Sequence, residues 1–375
     1  MTDPHAHPAA AQPADISWGA IRAEAARLRA LFEGAGAQVV ETSILQPAAT
    51  LLDLYGEDIR ARAYVTSDLA MGEQMLRPDF TVPVVQMHMA AGAEPARYTY
   101  SGEVFRRQEV DSGRANEYIQ VGYELFERGT PAQSDAEVFA RIHDILAPLG
   151  LRAITGDIGI LMAAVDGLDT TAARKAALRR HIWHPRRFRA LLDRYAGRLP
   201  VPPSRAALLM ADDPMADAGP LIGLRSRAEI AARIDALRAD AEAAPLAGGD
   251  LDLIDAILAV RETCFNALER LRDIAVDMPS INSAVARLAE RMEALAVRGI
   301  DVAALEFEAS YGRSQMEYYD GFVFGFTSED DPMLPPVASG GRYDALTRQL
   351  GQGREIPAVG GVIRPGLVVR LGGGT

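Results

Sequence analysis

Between Tyr118 and Phe126 an amide and a carboxylate, Gln120 and Glu124, stand four residues apart with Gly122 between them. The run is rich in β-formers and alternates, so it predicts a strand with side chains on alternate faces. Tyr118, Gln120, Gly122, Glu124 and Phe126 then share one face, and Ile119, Val121, Tyr123 and Leu125 share the other. Strand spacing puts Gln120 and Glu124 roughly 7 Å apart. The missing side chain at Gly122 leaves a hollow with an acceptor on each side, which suits a ligand carrying an amine, such as an amino acid. The preceding run, Tyr98 to Phe105, reads as the partner strand of a long antiparallel hairpin, with Gln108 to Glu117 as its loop. Arg106, at the end of that partner, can meet a carboxylate or phosphate by a forked contact. An exposed sheet face with ordinary salt bridges fits the same alternation.

The rest of the chain must hold this hairpin. Ile21, Ala25, Leu28, Leu31 and Phe32 recur at helical spacing within Ile16 to Gly34, and Val39 and Val40 suggest a short strand after it. Gly34 and Gly36 follow a helix and precede a strand, the reverse of a dinucleotide-binding order, so they read as a helix cap and turn. Short strands and turns are expected from Leu76 to Phe126, a helix from Pro131 to Leu149, and a strand from Ile154 to Ile160. Met162 to Gly299 has Ala, Leu and Arg at three- and four-residue spacing, with breakers at Gly197 to Pro203, Asp212 to Gly223 and Pro245 to Asp250. It predicts an all-helical insertion, with His181 and His184 on a polar helix face. From Leu305 onward strands and glycine turns resume, at Tyr318 to Phe326, around Gly340 to Asp344, and from Pro357 to Leu371. The division expected is a disordered tail over 1–15, a core over 16–161, the helical insertion over 162–304, and the second part of the core over 305–375.

Composition removes several kinds of function. With 375 residues, 49% hydrophobic and 24% charged, the chain reads as globular, with one large domain or two. Its net charge of −12 argues against coating nucleic acid, which needs a basic footprint. The one lysine, Lys175, follows no glycine loop, so a P-loop and Schiff-base chemistry are both unexpected. A single cysteine, Cys264, allows no intramolecular disulfide and no cysteine-based zinc site, and it reads as a small buried apolar group. No run approaches the ~20 apolar residues of a membrane span, and the N-terminus has no apolar signal core. A cytoplasmic protein without membrane, metal or cofactor is the expectation.

Five ordered motifs sharpen this. They are Leu76-Arg77-Pro78-Asp79-Phe80-Thr81, Phe105-Arg106-Arg107-Gln108, Gln120-Val121-Gly122-Tyr123-Glu124, Glu317-Tyr318-Tyr319 and Gly340-Gly341-Arg342-Tyr343-Asp344. Together they resemble the catalytic core of histidyl-tRNA synthetase, over roughly Ile16 to Leu371. The resemblance implies an α+β class II aminoacyl-tRNA synthetase fold, an antiparallel sheet flanked by helices, in a chain that dimerises. It also implies that the family's histidine pocket falls on Asp79, Thr81, Arg106, Gln120, Glu124, Tyr319 and Tyr343, with Asp79 standing where the family usually has Glu.

The chain departs from the synthetase where ATP would be handled. Gln108 replaces the Glu of the Phe-Arg-x-Glu loop, and Leu367 takes the place of the arginine that meets the ATP γ-phosphate. Arg364 and Arg370 are nearby but out of register. Ser314 occupies the position of the arginine before the tyrosine pair, with Arg313 one residue away, and Ser43 stands at the motif 1 proline, with Pro47 further on. Contacts that neutralise developing charge are each worth roughly 3 kcal/mol, so adenylate formation is expected to be lost. The chain also stops where the synthetase continues into an anticodon-binding domain. This combination resembles the regulatory subunits of ATP phosphoribosyltransferase, a family paralogous to the synthetase. That resemblance implies a non-catalytic chain that pairs with a short-form catalytic subunit, takes L-histidine as effector and self-dimerises. The alternatives are a histidine–tRNA ligase without its C-terminal domain and another synthetase-like binding protein.

Overall fold

The structure is a computed structural model that describes residues 16–55, 60, 62–108, 114–216, 218–220, 222–223, 225–313 and 318–372. The expected tail over 1–15, Ser314 and Glu317 lie outside the described residues.

Helix α1 (Trp18–Gly34) buries Ile21, Ala25, Leu28 and Phe32 of the stripe that the spacing marks, whereas Leu31 of the same stripe is exposed. Ser17 caps it by accepting from the Ala20 N–H at 3.1 Å. Gly36 then reverses the chain at φ 90°, a conformation open to glycine. β1 (Gln38–Val39) is followed by β2 (Leu45–Pro47), α2 (Ala48–Tyr55), β3 (Val65–Asp68) and β4 (Gly72–Leu76). The last three strands form a small antiparallel sheet in the order β2-β4-β3.

α3 (Thr81–Ala91) lies where the sequence suggested only strands and turns. Its opening Thr-Val-Pro-Val-Val is β-branched and proline-bearing, and seven of its eleven residues are buried. Burial on nearly all sides erases the amphipathic period by which a helix is recognised. The hairpin of β5 (Ala96–Phe105) and β6 (Glu117–Phe126) is as expected, with Tyr100 opposite Gly122 and Gly102 opposite Gln120. α4 (Pro131–Leu146) and a 3₁₀ turn at Ala147–Leu149 complete the predicted helix.

β7 (Arg152–Asp157) ends before Ile160, because the Asp157 carboxylate accepts from the Gly159 N–H at 2.8 Å and caps α5 (Ile158–Gly167). The helical stretch continues with α6 (Ala172–Arg180), α7 (Pro185–Tyr195), α8 (Pro203–Met210), α9 (Arg227–Glu242) and α10 (Gly248–Leu258). It is interrupted by β8 (Arg261–Thr263), after which α11 (Cys264–Asp277) and α12 (Asn282–Val297) follow. His181 and His184 are not on a helix face. They sit in the turn between α6 and α7, as the C-cap of one and the N-cap of the other. Cys264 is buried at the start of α11.

β9 (Glu306–Glu308), β10 (Phe322–Thr327), β11 (Ala338–Arg342), α13 (Asp344–Leu350), β12 (Ala358–Ile363) and α14 (Pro365–Arg370) finish the chain. The strand at Tyr318 to Phe326 therefore begins only at Phe322. The run from Pro357 divides at Pro365, which cannot donate to a sheet ladder but fits the first turn of a helix. One large sheet has the order β1-β5-β6-β12-β11-β10-β7-β9-β8, so the two ends of the chain join in it across the helical stretch. Every pairing is antiparallel except β1 with β5 and β7 with β9.

The odd face of β6 packs against α1 and α4, as its apolar alternation predicts. Tyr123 stacks on Phe32 of α1 with ring centres 5.1 Å apart, and its hydroxyl donates to Glu137 of α4 at 2.7 Å. Burying each such ring stabilises by roughly 1.5–3 kcal/mol. A buried charge cluster ties the helical stretch to the core. Arg291 of α12 reaches Asp135 of α4 at 3.1 Å and Asp157 at 2.6 Å. Arg342 reaches Asp135 at 2.7 Å and Asp344 at 3.0 Å.

Candidate functional site

The even face of β6 holds a buried carboxylate in a cage of hydroxyls. Glu124 is 1% exposed. Its Oε1 accepts from Tyr100 at 2.8 Å and Thr81 at 3.1 Å, and its Oε2 accepts from Tyr343 at 2.6 Å. Each donor arrives from a different element: Tyr100 from β5, Thr81 from the first turn of α3, Tyr343 from the residue after β11. Gly360 of β12 faces Glu124 across the ladder, and a Cβ there would fall 1.4 Å from Oε2, so only glycine lets this carboxylate lie where it does.

Burial pushes the Glu124 carboxyl up to about 7; the three hydroxyls pull it down and the Asp79 charge pushes it further up. Near neutrality it is poised between acid and carboxylate. A ligand N–H or ammonium placed against it would favour the carboxylate, so binding there would release a proton.

Asp79 is buried, and its Oδ1 accepts from the Val82 N–H at 3.3 Å, capping the first turn of α3. Gln120 is 1% exposed with its Oε1 unpaired. An orphaned buried amide oxygen is uncommon, and it marks where a ligand donor fits. Arg106 lies just past the end of β5 and donates from Nε to the Pro78 carbonyl at 2.7 Å. Tyr319 is buried, and its hydroxyl is pushed up by desolvation and the Glu124 charge, then by Asp79, with Arg106 opposing. Those mutual fields, with the hydrogen bonds, bring Asp79, Thr81, Arg106, Glu124, Tyr319 and Tyr343 into one cluster. Gln120 joins them by its place on β6.

Tyr100 is the residue that strand alternation alone did not mark. It also corrects the expected hollow: a Cβ at position 122 would stand 2.1 Å from Tyr100 Cζ, so the space left by Gly122 is filled by this ring. Tyr100 is held in a stack, 4.2 Å from Phe80 at 10° between planes, and the Arg77 guanidinium covers Phe80 at 3.8 Å. The signal was the cross-strand pairing of Tyr100 with glycine, visible once the hairpin register is set.

The nucleotide side is built differently. Leu367 is partly buried against the core from α14. Arg364 lies over the Tyr118 ring at 5.9 Å and donates to the Pro336 carbonyl, while Arg370 pairs with Asp331 at 3.0 Å. Gln108 is occupied locally, its N–H donating to Asn116 Oδ1 at 2.8 Å. Arg313 turns toward the helical stretch, donating to the Ile182 carbonyl at 2.8 Å and lying 4.9 Å over Phe188. The same turn touches the pocket from behind, where Trp183 Nε1 donates to the Tyr319 carbonyl at 3.2 Å. Among the described residues no group of three or more His, Cys, Asp or Glu side chains could hold a metal ion. No helix among them is long and apolar enough to cross a membrane.

Comparison with known proteins bears on the family and the fold. The family model described as Histidyl-tRNA synthetase matches residues 15–244 and 224–365. The ATP phosphoribosyltransferase regulatory subunit of Brucella canis is 31% identical over 353 residues, covering 89% of this chain and 93% of the relative. That of Brucella anthropi is 32% identical over 354 residues, with 89% and 93% covered. Among solved structures, a Bacillus halodurans protein described as an ATP phosphoribosyltransferase regulatory subunit/histidyl-tRNA synthetase superposes with TM-score 0.65 at 21% identity, over 99% of this chain and 84% of that one. A histidine–tRNA ligase subunit from Alicyclobacillus acidocaldarius superposes with TM-score 0.62 at 23% identity, over 99% and 97%. The two structures establish the class II synthetase fold, and the sequence relatives narrow it: the chain belongs to the family of ATP phosphoribosyltransferase regulatory subunits.

Proposed function

We propose that this chain is the non-catalytic regulatory subunit of ATP phosphoribosyltransferase. It joins a separate short-form catalytic subunit in the first step of L-histidine biosynthesis and carries feedback inhibition by histidine. L-histidine occupies the pocket of Asp79, Thr81, Arg106, Gln120, Glu124, Tyr319 and Tyr343. The observation that carries this reading is the contrast between the two sides of the site. The amino-acid side keeps a caged carboxylate and an unpaired amide oxygen. On the nucleotide side, Arg313 is committed to Ile182 and Phe188. With Arg313 turned away and Leu367 at the position of the γ-phosphate arginine, two contacts that would neutralise adenylate charge are missing, so binding energy remains but the chemical step does not.

In this reading the core of 16–161 and 305–375 forms the histidine site and the self-dimer, and 162–304 is an appended helical unit. The assembly works in the cytoplasm. Inhibition requires that histidine bind one state of the complex more tightly than another, since equal affinity shifts nothing.

Reconstitution with a short-form catalytic subunit tests this. Phosphoribosyl transfer should depend on this chain and fall as histidine is added, and Glu124→Gln should relieve the inhibition. Transfer that is indifferent to the chain would refute the regulatory role. Histidine-dependent exchange of pyrophosphate into ATP by this chain alone would establish a ligase instead.

A further inference from the structure

The pocket tyrosines Tyr319 and Tyr343 stand on separate segments, and each is followed by an aspartate, Asp320 and Asp344. Pairing between β10 and β11 ends at Val323 with Gly341, so the ladder stops short of both rings. Beyond that point Asp320 makes the connection. Its N–H donates to the Arg342 carbonyl at 3.0 Å. Its Oδ1 accepts from the Asp344 N–H at 3.1 Å, and its Oδ2 accepts from the Ala345 N–H at 2.5 Å. The last two donors open α13 and have no acceptor within that helix. Asp320 thus holds the chain on both sides of Tyr343.

Both rings depend on where these segments lie. The Tyr343 hydroxyl donates to Glu124 Oε2 at 2.6 Å. The Tyr319 ring lies against Gly341, where a Cβ would stand 2.8 Å from its Cδ1. The Tyr318 ring adjoins both, with centres 4.9 Å from Tyr319 and 6.0 Å from Tyr343.

A carboxylate is a costly group to keep at this place. Desolvation and then the Asp344 charge push Asp320 up to about 7, while the two backbone N–H groups and Arg342 hold it down. An asparagine would escape the repulsion, but it offers one acceptor oxygen where two N–H groups arrive. Asp344 is engaged elsewhere: its Oδ1 accepts from Arg342 at 3.0 Å and from the Ala358 N–H at 2.8 Å.

We propose that Asp320 is a positioning residue of the amino-acid pocket. Its carboxylate clasps the segment of Tyr319 to that of Tyr343, and so sets the Tyr343 hydroxyl against Glu124 with the Tyr319 ring beside the same carboxylate. Asp320 acts through the two tyrosines. That the clasp serves histidine rests on the reading of the site given above; the clasp itself does not.

Asp320→Asn in the full chain tests this, with L-histidine as the probe. Calorimetry should show binding weakened about tenfold or more, the effect of one lost hydrogen bond. The urea midpoint at pH 8 should change little, because the repulsion by Asp344 is lost as well. Asp320→Glu keeps the charge but displaces its oxygens by a methylene, and it should bind as weakly. Asp301→Asn alters a carboxylate that likewise accepts from two backbone N–H groups, at 3.1 and 3.3 Å, and should bind as the wild type does. Combined with Tyr343→Phe, Asp320→Asn should weaken binding little further, since the contact through which it acts is already gone. In protein labelled with 3-fluorotyrosine, the Tyr319 and Tyr343 fluorine resonances, assigned by Phe variants, should both move in Asp320→Asn without any ligand. Wild-type histidine affinity in Asp320→Asn, or Tyr319 and Tyr343 resonances that stay in place, overturns the proposal. A wild type that binds no histidine refutes the reading of the pocket, and the fluorine spectra then still decide the clasp.

Discussion

Replacing Glu124 with Gln removes one titration from the core while nearly preserving shape. In the folded wild type the carboxyl is raised from 4.5 to about 7. A raised acid favours the folded state while it is protonated. That contribution is complete below pH 4.5, declines as pH rises toward 7, and is gone above it. At 1.36 kcal/mol per pH unit, the span is worth about 3 kcal/mol. Glu124→Gln has no such loss, so its stability relative to wild type should rise by about 3 kcal/mol between pH 4.5 and pH 8. Any fixed offset from exchanging an oxygen for an amide, whose NH₂ faces hydroxyls that now donate to Glu124, leaves this slope intact. Urea unfolding of both proteins across that range measures it. A difference that stays flat within about 1 kcal/mol would mean that the carboxylate is well solvated or well paired, and the reasoning would fail. The same poise predicts that histidine binding to wild type at pH 6 releases close to one proton, visible as a buffer-dependent heat. Glu124→Gln is the control for the titration of histidine itself.

Two further substitutions address the frame of the site. Gly122→Ala would place a methyl 2.1 Å from Tyr100 Cζ, expelling the ring from its bond to Glu124. About 1–3 kcal/mol of stability should be lost, together with tenfold or more in histidine affinity by calorimetry, and an unchanged variant would show that the ring does not fill that space. Arg291→Met leaves Asp157 without its arginine and Asp135 with only Arg342. Removing one partner from a buried ion cluster costs about 3–5 kcal/mol, read as a lowered urea midpoint, and a shift below about 1 kcal/mol would show the cluster to be hydrated.

The hairpin and its two faces were legible because alternation is a local property of strands: Ile119, Val121, Tyr123 and Leu125 pack, and Gln120 and Glu124 face the site. The cluster of pocket residues was legible through ordered motifs, not through spacing, since Asp79, Glu124 and Tyr343 meet only after three elements converge. α3 was not legible, because a helix buried on nearly all sides carries no stripe, and its Val-Pro-Val-Val run speaks for strand. Nor was the place of His181 and His184, since helix ends depend on what the turn packs against.

The sequence by itself determined the type of strand, the composition limits and the presence of an acid beside an amide, all of which follow from side-chain chemistry and a two-residue period. Only the tertiary structure decided that the space at Gly122 belongs to Tyr100, that Gly360 makes room for Glu124, and that the Glu124 carboxyl stands near 7. It likewise decided that Arg313 serves the α6–α7 turn and not the nucleotide side. Those outcomes depend on desolvation and on contacts between residues tens to hundreds of positions apart, which no local pattern encodes.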